Sequence, residues 1–234
     1  MGVDEDRIRY AVSHTEILRP PKQSISTFGT TNIYYYLVTE PAYSDVVKTA
    51  IETVVREGRV ITERPRIVTP YYLSHLEGFS SDARRYFDML IATHGPNASG
   101  LLYAYKNEPQ KLNIVSDNLL SVVDKLNDEI DKRNDPLTSI IKGADELWDI
   151  SLMKFIYELT RTSLPGNLSQ MGSRGLLDID ASGISIDVRV RIDELFRKVS
   201  TGEIEPRQLK EELDRWNLFE EYEDRFFTLF KSRR

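Results

Sequence analysis

The chain has 234 residues, 31 Lys and Arg against 37 Asp and Glu, a net charge of −6 and no cysteine. Its 40% hydrophobic content suits one large or two small folded domains and excludes a disordered chain. The acidic balance weighs against nucleic acid as a partner, and the missing cysteine removes disulfides, thiolate metal sites and thiol nucleophiles.

Met1 to Tyr10 is acidic and carries no apolar h-region, so no signal peptide is expected. No apolar run approaches the ~20 residues of a membrane span. The expectation is a soluble cytoplasmic protein with no membrane partner. Residues 1–21 read as an arm ending at Arg19-Pro20-Pro21. The run Asn32 to Val38 is rich in aromatic and β-branched residues and predicts a strand. Both of its faces are apolar, so it belongs at the centre of a sheet.

Ser44 to Glu57 shows Val46, Val47, Ala50, Ile51, Val54 and Val55 at helical spacing, with Gly58 as the stop. Short strands are predicted at 59–62 and 66–69, then a helix from Ser80 or Ser81 to His94. Further strands follow at 101–105 and 112–115. Beyond Ser116 the pattern is helical. Helices are predicted from Ser116 through Ile130, after Pro136 to Lys142, and from Ala144 to Thr162, the last stopped by Pro165-Gly166. A loop at 167–184 precedes three C-terminal helices, the second opening at Pro206. Residues 1–115 balance to zero charge and residues 116–234 hold the whole −6. The fold class implied is α+β: a mixed or antiparallel sheet with two helices over 1–115, and a mainly helical region over 116–234, with a soft boundary and room for a shared core.

Few residues point to chemistry. Histidines 14, 75 and 94 lie far apart without paired spacing, and no GxSxG, GxGxxG or P-loop pattern occurs. Asp178-Ile-Asp-Ala-Ser-Gly183 opens like a calcium loop, but position 12 is Arg189 where a bidentate Glu is required. It reads as a tight turn before a helix. Asp145, Glu146 and Asp149 read as anions complementing a helix N-terminus. No metal and no cofactor is expected.

Two functional readings remain, and the residues leave open whether the chain is an enzyme. The first is a non-catalytic interaction or regulatory protein with a protein partner or a second copy, from its tyrosine-rich strands and acidic helices. The alternative is an enzyme or binding protein for a phosphorylated small molecule or nucleotide. Its site would join Lys22, Thr27, Thr30, Thr31 and Asn32 with Arg59, Arg64, Arg66 and the tyrosines Tyr34 and Tyr36. It requires the arginines, Arg56 included, to converge.

Overall fold

The computed structural model describes residues 3–43, 51–69, 72, 92–93 and 100–231. Among these the elements run α1 (Val3–Ser13), β1 (Glu16–Arg19), β2 (Thr31–Thr39), β3 (Thr53–Thr62), β4 (Arg66–Val68), β5 (Gly100–Leu102) and β6 (Tyr105–Val115). Then follow α2 (Leu119–Arg133), β7 (Thr138–Lys142), α3 (Trp148–Ser173), α4 (Ile186–Ser200), α5 (Pro206–Arg215) and α6 (Phe219–Lys231). The class is α+β, as the sequence implies. Contacts group the chain into two compact units, residues 1–64 with 103–168 and residues 65–102 with 169–234. The compositional boundary near Ser116 falls inside the first unit. No helix among the described residues is long and apolar enough to cross a membrane.

The first unit is a five-stranded sheet in the order β1-β7-β2-β3-β6. β2 is its central strand, parallel to β7 and antiparallel to β3. β3 is in turn antiparallel to β6, so β6, α2 and β7 form a crossover between parallel strands. Alternation along β2 divides the packing. Ile33, Tyr35 and Leu37 meet Val60, Ile141, Phe155 and Leu159 on the α3 face. Tyr36 and Val38 meet Val55, Val122, Val123 and Ile140 on the α2 face. Burying side chains of this size on both faces stabilises the sheet by about 1.5–3 kcal/mol each.

The second unit has the antiparallel pair β4–β5 and the helices α4, α5 and α6. Its core holds Val68, Tyr72, Val188, Ile192, Phe196, Leu209, Leu213, Trp216 and Phe226. Glu212 is also inside, with Arg191 at 2.9 Å and Arg215 at 3.4 Å. It accepts hydrogen bonds from the Tyr72 hydroxyl and the Trp216 indole. Pro206 sits at the first position of α5 as expected.

Several local expectations are corrected. The arm at 1–21 contains α1 and β1. The residues expected to finish a helix at Glu57 lie instead in β3; residues 44–50 of that stretch lie outside the described residues, as does nearly all of the helix expected at 80–94. Gly58 is not a helix stop but a mid-strand residue under the Tyr35 ring, where a Cβ would overlap the Tyr35 hydroxyl. Residues 138–142 are the strand β7, because Ile140 and Ile141 are buried on opposite faces beside β2. Finally, α3 continues past Pro165 to Ser173. Asn167, two residues on, donates its amide nitrogen to the Ile25 carbonyl and Thr27 hydroxyl and accepts at its oxygen from Tyr103. These tertiary bonds hold the turn that the proline weakens.

Candidate functional site

β6 stands at the end of the sheet order, and none of its eleven residues is buried. Among the described residues no strand pairs with its outer edge. Its inner edge is well fixed. Tyr35 donates from its hydroxyl to Asn107 at 3.0 Å, and Tyr105 contacts the Thr160 hydroxyl. Arg59 reaches Glu108 through Nε and Nη2 at 2.7 and 2.6 Å, and Lys106 reaches the same carboxylate at 2.7 Å. Those cations hold the Glu108 carboxyl below its ordinary range. Opposite Gly58 and Glu57 lie Pro109 and Lys111, so Gln110 is an extra residue, a β-bulge. Beyond it Leu112 and Ile114 are 60% and 57% exposed. They oppose Arg56 and Val54 and share one face of the strand. Long unpaired edges with apolar side chains are templates for strand addition.

The residues expected to bind an anion separate into groups. Thr30, Thr31, Asn32 and Tyr34 line a hollow of about 310 Å³ with Ser26 and Asp135. The Asp135 carboxylate is engaged by Leu137 N and the Thr138 hydroxyl. Arg59 lies opposite Tyr34 on the neighbouring strand. Thr27 is buried under Asn167 instead. Lys22 stands 3.8 Å from Asp131. Tyr36 accepts from Arg133 at 2.8 Å on the α2 face. Arg56 and Arg59, three residues apart on β3, project from opposite faces. Arg64 belongs to the first compact unit and Arg66 to β4 of the second.

A second hollow, about 430 Å³, opens at the carboxyl ends of the parallel strands β2 and β7, with Arg7, Tyr10, His14, Glu40, Lys142 and Asp145 among its lining. Sequence patterns do not reveal its organising group. Asp145 does not complement a helix dipole; it accepts from Thr39 at 2.8 Å, from Ala42 N at 3.2 Å and from Arg56 at 2.8 Å. Arg56 also lies over the Trp148 ring. Burial opposes ionisation of Asp145, but the hydrogen bonds from Thr39 and Arg56 prevail and pull its carboxyl below the usual range. Nothing local in the sequence points to this pairing, because residues 44–57 read as a helix and Arg56 meets Asp145 across 89 residues.

The loop at 178–183 turns as expected. Asp180 accepts from Ser182 N and Ile184 N and pairs with Arg189 at 2.7 Å. Its oxygens are thus occupied by the chain itself. Among the described residues no three His, Asp or Glu side chains gather as a metal site requires. Comparison with family models, with curated proteins and with solved structures finds no match to the chain.

Proposed function

We propose that the chain is a non-catalytic interaction protein that docks an extended partner segment along the outer edge of β6. The observation that carries this reading is an eleven-residue terminal strand with Leu112 and Ile114 more than half exposed. Backbone N–H and C=O groups supply affinity in this mode, and alternate side chains supply selectivity. The test is an array of ten-residue extended peptides probed with the full chain, with amide exchange reporting on β6. A binder slows exchange along β6, and Leu112→Lys with Ile114→Lys abolishes capture at unchanged melting temperature. A chain that pairs with no peptide and no second copy overturns the reading.

A second reading is a site for a phosphorylated small molecule, favoured by the gathering of Thr30, Thr31, Asn32 and Tyr34 around one hollow with Arg59 across from Tyr34. Inorganic phosphate or a nucleoside phosphate then raises the melting temperature by mass action, and Arg59→Ala removes the rise. No shift in the parent chain removes this reading.

A further inference from the structure

We infer, building on the edge reading, that the segment β6 receives is β6 of a second copy, antiparallel to it about a two-fold axis passing between Pro109 and Gln110. The argument starts from the bulge. Up to Pro109 the strand keeps one alternation, and from Lys111 onward it keeps the opposite one, because Gln110 has no partner on β3. Tyr105, Asn107 and Pro109 therefore share a face with Leu112 and Ile114, while Lys106 and Glu108 share the other with Lys111, Asn113 and Val115. The packing agrees: Tyr105 touches the cluster of Tyr35 and Leu37, and Val115 touches that of Tyr36 and Val38.

A regular partner strand meets such an edge in like faces along its length only by leaving Gln110 unpaired, as β3 does on the inner side. A second β6 running the other way flips at the same point. With the axis at the bulge, Tyr105 opposes the second copy's Ile114, Lys106 its Asn113, Asn107 its Leu112 and Glu108 its Lys111. Every pair joins like faces, and symmetry makes each pair occur twice. The charges fit as well. Both glutamates meet a lysine, and no like charges stand opposite one another. Tyrosine against isoleucine is an aromatic–β-branched pair of the favourable kind. Lysine, proline and a bulge ordinarily guard an edge against pairing. Here the lysines have partners, and the proline and bulge fall at the axis, where the second copy carries the same irregularity and Gln110 meets Pro109.

Sedimentation velocity of the full chain over a concentration series tests the inference. The expected result is a concentration-dependent dimer. Lys111→Glu places two carboxylates opposite each other twice and weakens it by about ten-fold or more, whereas Lys111→Arg, which keeps the charge, does not. Because the chain has no cysteine, Gln110→Cys supplies a unique thiol beside the axis. It forms a disulfide-linked dimer on mild oxidation, and Leu120→Cys, on the exposed face of α2, does not. A strict monomer overturns the inference while peptide capture still decides the edge reading. A dimer indifferent to Lys111→Glu, or linked equally through Leu120→Cys, overturns it too. Circular dichroism melts of each variant separate loss of pairing from loss of fold.

Discussion

Tyr35 and Gly58 form a pair that neither residue type announces alone. Tyr35 lies across the neighbouring strand at Gly58 and reaches Asn107 beyond it, so a single ring ties β2 to β6 over β3. Gly58→Ala puts a methyl where the phenol lies. The flanking strands fix both backbones, so the ring must leave its place. Overpacking of this kind costs about 1–3 kcal/mol, and a urea melt should register that loss with an unchanged slope. Tyr35→Phe, which keeps the ring and loses only the hydroxyl, should cost less. Asp145 makes a pH-dependent contribution whose sign follows from its depressed carboxyl. The ionised form is the one that Thr39, Ala42 and Arg56 hold. Its stabilisation is present above the ordinary carboxylate range and is lost as pH falls through the lowered folded value. Asp145→Asn should therefore lower the melting temperature at neutral pH and flatten its fall below about pH 4. An equally steep acid fall in the variant would show that other carboxylates govern it.

At the scale of elements, β2 and the three C-terminal helices are legible in sequence because a single periodicity dominates each. Val188, Ile192, Phe196 and Val199 keep a helical stripe, and the Tyr-rich run has strand propensity throughout. β3 and β7 were not legible in this way. Valines at 46, 47, 54 and 55 fit a helical stripe, yet Val54 and Val55 lie on opposite faces of a strand. For β7, five residues after a proline are too few for period to decide between helix and strand. What decides is non-local: β2 has an open parallel neighbour position, and Ile140 and Ile141 fill both layers beside it. The candidate sites follow the same logic. The Thr30–Tyr34 convergence is local and was legible, whereas Asp145 meets Arg56 across 89 residues. Ile141→Ala should cost about 2–5 kcal/mol, since its site is walled by Leu37, Phe155 and Leu159 and cannot easily collapse. A loss below 1 kcal/mol would mean that α3 settles into the gap.

The described residues fall into two compact units, each with its own hydrophobic packing, and the chain passes between them more than once. Residues 65–102 depart from the sheet unit after β3, and residues 103–168 return to it. Charge and periodicity change near Ser116 because strands give way there to helix-rich sequence, but α2, β7 and most of α3 still pack on the sheet. Composition follows element type, while contacts follow which face an element covers. The second core is organised by a group that composition cannot locate. Glu212 is one of nine acidic residues over 203–224, and it alone of these is buried. There it pairs with Arg191 and Arg215 and accepts from Tyr72 and Trp216. Removing one member of a buried ionic set leaves the others uncompensated, at about 3–5 kcal/mol. Glu212→Ala strands two guanidinium groups, an indole N–H and a phenol at once, whereas Glu212→Gln keeps an acceptor for the neutral donors and loses less. With distinct cores, the cost should fall on one of them. Amide exchange in Glu212→Ala is expected to accelerate through α4, α5 and α6 while β2 and β7 keep the parent's protection. Equal acceleration in β2 and β7 would show that the two cores open as a single cooperative unit.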